Sequence, residues 1–173
     1  MKRVPILNEY LRFINDQEKV VQEMDLIPID LEEHTIYLLE FSCQNNLCSY
    51  LILDQSKDNP TYLVADLAKY VDSLLSPDRS TIILKFNRKT SLSLPLTNLV
   101  AIDLEQWDIL SLKTQSSEKE YLNFTWPLSS ISWIDKNTIS AHRPIISVLT
   151  EESISKWKNS GSQTTNIIFH VEK

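Results

Sequence analysis

Three histidines, two cysteines and four tryptophans are the residues of this chain best suited to chemistry or to anchoring a partner. His34 follows Glu32-Glu33, but no His-Glu-x-x-His pair exists to hold a metal ion on one helix face. His142 lies in Ala141-His142-Arg143-Pro144, which reads as an exposed loop, and His170 alternates within an apolar strand as a structural residue. His34 or His142 can be drawn beside Asp54 or Asp103 as an acid–base pair. No spacing singles out one such set, so a small hydrolase is permitted without being favoured. The chain has one glycine, Gly161. That removes the Gly-x-Ser-x-Gly elbow and every glycine-cradled phosphate loop, because each needs several residues without a side chain. No catalytic residue, cofactor or metal site is expected.

Cys43 and Cys48 are too few for a zinc site, which needs two further ligands that their neighbourhood does not offer. Trp107, Trp126, Trp133 and Trp157 all fall beyond residue 100. Core packing is the plainer role for them, and exposed anchoring of a partner is the alternative. On the second view Trp107, Trp126 and Trp133 are candidate partner contacts.

Charge narrows the partners. Lys and Arg number 17 against 23 Asp and Glu, a net charge of −6, and the isoelectric point is about 5.1. Nucleic acid and anionic membranes call for a basic surface, so neither is an expected partner. Residues 16–40 carry eight acidic residues against Lys19 alone. Such a run is ordinarily a solvated face, but it also suits a basic protein partner. Asp25, Asp30, Glu32 and Glu33 are the candidate contacts there. The N-terminal apolar run stops at Asn8-Glu9, and no stretch of 18 apolar residues occurs, so a soluble, cytoplasmic protein is expected.

The elements that must position these residues read as one α+β domain over 1–173: a mostly antiparallel sheet, an N-terminal helix and two further helices. Pro5 and the spacing of Leu7, Leu11, Ile14, Val21 and Met24 predict helix over 5–24, in one piece or broken near Asn15-Asp16. Residues 35–43 and 48–54 predict a hairpin around Asn45-Asn46, because Asn tolerates the positive φ of a type I′ turn. That register pairs Cys43 with Cys48, Phe41 with Tyr50 and Leu39 with Ile52. The two cysteines would then have Cα atoms ~4.5 Å apart, within disulfide reach. In a cytosolic core, reduced and buried thiols are the expected state.

Leu63, Leu67, Val71 and Leu74 predict a helix over 61–75. Strands follow at 81–86, at 92–96 (an edge or bulge because of Pro95), at 99–104, at 109–113 and at 121–126, with a polar loop at 114–119. Residues 145–149 form a short strand or extended lead-in. Thr150 is placed to cap a helix over 151–159, with Gly161 just past its end and a last strand at 166–171. The eleven Asn residues are expected to take the turn positions that glycine usually fills.

From residue 99 onward the order of features resembles a known group. Leu99-Val100-Ala101-Ile102-Asp103 is followed by a turn and a hairpin, then by His142-Arg143-Pro144-Ile145-Ile146-Ser147-Val148. A short acidic-capped helix, Gly161 and the strand Asn166-Ile167-Ile168-Phe169 complete it. This resembles the C-terminal half of immunity proteins from bacterial polymorphic-toxin systems. The group's usual Gly before the last strand is replaced here by Thr165-Asn166. The resemblance implies a non-enzymatic protein that binds and neutralises a cognate toxin, and it transfers no catalytic residue. A structural or adaptor subunit of a larger assembly, bound through the Trp-bearing C-terminal surface, is the other reading.

Overall fold

The computed structural model describes residues 5–32, 35–54, 60–114 and 120–172. It divides into two units, Met1–Leu67 and Ala68–Lys173. All the described strand pairings are antiparallel, and strands dominate over three short helices. No helix among the described residues is long and apolar enough to cross a membrane.

The first unit opens with α1 (Pro5–Arg12) and α2 (Gln17–Gln22). The predicted helix is thus two. The break has a local cause: Asp16 turns out of helical geometry and its carboxylate accepts the Lys19 backbone N–H at 3.2 Å, starting α2 afresh. Three strands then form a meander: β1 (Asp25–Asp30), β2 (Thr35–Gln44) and β3 (Leu47–Asp54). Strand β1 was hidden in the sequence by Pro28. The proline sits opposite Tyr37 on a strand paired only with β2 among the described residues, the kind of edge position where a strand tolerates proline.

The β2–β3 turn has the predicted form, with Asn45 at φ 51° and Asn46 at φ 64°. Gln44 pairs with Leu47 as expected, but the register then slips. Ser42 takes a positive φ of 54°, so Ser42 and Cys43 together oppose Cys48 as a bulge. Beyond it Phe41 pairs with Ser49 and Leu39 with Leu51, one residue away from the expected Tyr50 and Ile52. Leu39, Phe41 and Leu51 therefore share a buried face, covered by Leu7, Tyr10 and Met24. The Tyr10 ring meets Phe41 edge-on at 5.2 Å. The opposite face carries Ile36, Leu38, Tyr50 and Ile52, all buried. The cysteines are not reduced thiols as expected: Cys43 and Cys48 are joined by a disulfide, and Cys43 is exposed. The bulge leaves their Cα atoms 4.1 Å apart, close enough for the bond.

Residues 61–75 are the main correction. They form strand β4 (Tyr62–Leu75), not a helix, and the division between units falls within it. The helical stripe would have buried Leu63, Leu67 and Val71, yet these are 44%, 49% and 45% exposed. Val64, Ala65 and Ala68 are buried instead. A positive φ at Leu67 and a register shift between Tyr70 and Asp72 break the strict alternation that would have announced a strand. The ladder to β5 (Thr81–Arg88) outweighs the local helical pattern, with Leu75 opposite Ile82 and Tyr70 opposite Phe86.

In the second unit the meander continues through β5, β6 (Leu96–Asp103) and β7 (Ile109–Thr114). Strands β8 (Ser129–Asp135) and β9 (Thr138–Pro144) form a hairpin, and helix α3 (Glu151–Asn159) leads to β10 (Thr164–Glu172). The order is β7-β10-β9-β8, so the last strand in sequence lies between two earlier ones. Two predicted strands are absent. Residues 91–94 are bends before β6, and 121–126 turn through positive φ at Asn123 and Phe124, leaving Trp126 a single bridge to Thr97. Helix α3 matches its prediction. Thr150 accepts the Ser153 N–H at 3.2 Å, Ile154 is fully buried, and Gly161 takes φ 95° just past the end.

Candidate functional site

The acidic candidates are placed on and after β1. Asp25 and Asp30 are both exposed at its two ends. Strand alternation puts them on opposite faces, so they do not converge. Asp25 accepts the Leu26 N–H at 2.9 Å, and Asp30 accepts the Thr35 hydroxyl at 2.9 Å. Glu32 is exposed at φ 66°. Glu33 and His34 lie outside the described residues. Charges and a proline on an outer strand also oppose unwanted edge-to-edge pairing, which gives Asp25, Asp30 and Pro28 a structural task.

Just before β1 in the chain, α2 and its C-cap residue add exposed Glu18 and Glu23, with Lys19 4.0 Å from Glu23 and both side chains well solvated. The charge is divided unevenly between the units. Residues 1–67 hold twelve Asp and Glu against five Lys and Arg, while 68–173 hold eleven against twelve. The net −6 of the chain is thus carried by the first unit.

The tryptophan candidates separate. Trp107 and Trp126 are 2% and 4% exposed and belong to the core, Trp126 meeting Tyr121 edge-on at 5.8 Å. Trp133 is half-buried on β8 and donates its Nε1–H to the Leu74 carbonyl at 3.2 Å. Among the other residues weighed from sequence, Asp103 accepts the backbone N–H groups of Glu105 and Gln106 at 2.8 and 3.0 Å, which shapes the β6–β7 turn. His142 places Nδ1 3.5 Å from the Thr164 hydroxyl. At the hairpin tip Glu40 lies 3.8 Å from the Cys43 sulfur and accepts the Tyr50 hydroxyl at 2.5 Å. Glu40, Cys43 and Cys48 have metal-ligating types, but disulfide sulfurs offer no thiolate to an ion.

A cleft of about 250 Å³ lies wholly within the second unit and was not foreseen. Its walls are largely apolar: Leu94 and Pro95 of the segment before β6, Pro127 and Leu128, Pro144 and Trp157. The wall is held in place. Glu151 accepts the Ser93 N–H at 2.8 Å and Lys158 donates to the Ser93 hydroxyl at 2.8 Å, tying that segment to α3. Trp157 is fixed by its Nε1–H on the Gln163 carbonyl at 2.5 Å. Lys85 and Asn87 of β5 supply the polar side. Burial lowers the Lys85 pKa, partly countered by the charge of Asp72. The sequence signal for this cleft is slight: three prolines scattered over 50 positions and one lysine in an apolar strand. No protein-family model, curated protein or solved structure matches the chain.

Proposed function

We propose that this is a non-enzymatic binding protein of the immunity type, which neutralises a basic toxin through the acidic surface of its first unit. The observation that carries the reading is the division of charge: the whole net negative charge belongs to residues 1–67, with Glu18, Glu23, Asp25, Asp30 and Glu32 exposed. A one-signed surface speeds encounter with an oppositely charged partner and repels wrong ones. The resemblance of the C-terminal half to immunity proteins supports the same conclusion.

The test is affinity capture from the native lysate with the full chain, at low and high salt, beside a variant carrying Glu18→Lys, Glu23→Lys and Asp25→Lys. A basic protein retained at low salt, released at high salt and lost with the triple variant is the expected result. Association that persists at high salt and ignores the charge reversal would instead favour an assembly subunit.

A further inference from the structure

The cleft beside α3 combines two features that together specify a ligand. The first is a pair of donors without acceptors. Lys85 and Asn87 are two apart on β5, so both project from the same face of the strand. Thr97 shares its hydroxyl hydrogen between Asn87 Oδ1 at 2.9 Å and the Leu128 carbonyl at 3.3 Å, and the nearer contact leaves Asn87 Nδ2 as a donor. Among the described residues neither Lys85 Nζ nor Asn87 Nδ2 has a hydrogen-bond or ion-pair partner. Asp72 stands opposite Lys85 in the β4–β5 register, yet does not reach ion-pair distance. The remaining polar side chains of the cleft are engaged: the Ser129 hydroxyl with the His142 carbonyl at 3.4 Å, and Thr164 with the His142 ring at 3.5 Å.

The second feature is a wall that offers no competing polarity. Pro95, Pro127 and Pro144 have no N–H to donate, and Trp157 has committed its own N–H to Gln163. A half-buried ammonium and an amide donor in such surroundings demand a negatively charged acceptor. Lys85 is the one charged residue among the described residues lining the cleft, Asp72 lying outside the lining, so a single anionic group suits it. At about 250 Å³ the space is below that of drug-sized sites, which suits a body of about ten non-hydrogen atoms.

We propose that this cleft binds a small organic monocarboxylate with an apolar body, the carboxylate on Lys85 Nζ and Asn87 Nδ2 and the body against Trp157, Pro127 and Pro144. The site uses none of the acidic residues of the first unit, so it stands or falls separately from the protein-binding proposal.

The experiment is isothermal titration of the full chain with 3-phenylpropionate and with its neutral isostere 3-phenylpropionamide. The acid should bind saturably at one site, and the amide about tenfold or more weaker, the loss expected when a charged hydrogen bond is replaced. Lys85→Met keeps the buried stem and should weaken the acid about tenfold or more. A measurement on the unaltered chain guards against misfolding of that variant: the acid should protect Lys85 from reductive methylation, read by mass spectrometry, and the amide should not. Equal binding of acid and amide, no saturable binding at millimolar acid, or unprotected Lys85 would overturn the assignment.

Discussion

Asn46 holds φ 64° and Asn45 φ 51°, the pair of left-handed residues that a type I′ turn requires. Replacing Asn46→Gly removes the remaining Cβ conflict, and should raise stability by up to about 1 kcal/mol in chemical denaturation. An unchanged or lowered midpoint would mean that Asn46 contributes through its side chain. Elsewhere the scarcity of glycine is met differently from the expectation that Asn fills the turns. Asn123 joins the two hairpin residues, but Ser42, Ser130 and Ser162 take the same region, as do the bulkier Leu67, Arg79, Trp107 and Phe124. Each of these L-residues carries a cost of roughly 1–2 kcal/mol that surrounding structure must offset. The cysteine pair acts at the same scale. The closed loop is short, with a sequence separation of 5, so chain-entropy arguments give its bridge only about 2 kcal/mol. Cys43→Ser with Cys48→Ser should lower unfolding stability by about that amount while leaving the hairpin formed, which amide exchange of β2 and β3 would report.

Elements whose signals are local were the legible ones. Helix α3 carries its cap, its first-turn acids, its last-turn lysines and its terminal glycine within twelve residues, from Thr150 to Gly161. The β2–β3 turn was equally plain. What sequence could not show depends on neighbours distant in the chain. Leu63, Leu67 and Val71 have helical spacing, and only the partnership of β4 with β5 makes them strand residues. The bulge at Ser42 shifts a register that the turn alone would fix one residue away. The cleft was illegible for the same reason, since Lys85, Pro127 and Trp157 meet only after the sheet has formed. The tie between α3 and Ser93 yields a prediction about acidity. The Ser93 N–H hydrogen bond lowers the Glu151 pKa below its ordinary 4.5. A carboxylate depressed in the folded state contributes above its unfolded value, and the contribution is lost as pH falls through the folded one. The Ser93 amide resonance should therefore titrate with a midpoint below 4.5, and the titration should vanish in Glu151→Gln. A midpoint at or above that value would show the tie to be absent in solution.

For the whole molecule, the second unit depends on a strand placed out of sequence order. Phe169 of β10 is fully buried in a cluster with Ile83, Leu99, Ala101, Ile139 and Ala141, drawn from β5, β6 and β9. Phe169→Ala should cost about 3–5 kcal/mol, whereas Leu63→Ala, at an exposed position, should stay within about 0.5–1 kcal/mol. Similar losses at the two sites, measured by denaturant titration, would revive the helical assignment of 61–75. The charge division between the units has its own consequence at this scale: on the proposed reading, encounter with the partner is steered by residues 1–67, and substitutions beyond them should alter its salt dependence little. Strand β10 also sets a schedule for biosynthesis. Thr114 ends β7 and Thr164 begins β10. At the usual pace of translation the ribosome takes roughly 3–10 s to add the residues between them. During that interval β7, and β9 once it has been added, each expose a row of unpaired N–H and C=O groups that β10 will later cover. The nascent second unit is for those seconds a sheet with its middle missing, open to a chaperone or to another copy of itself.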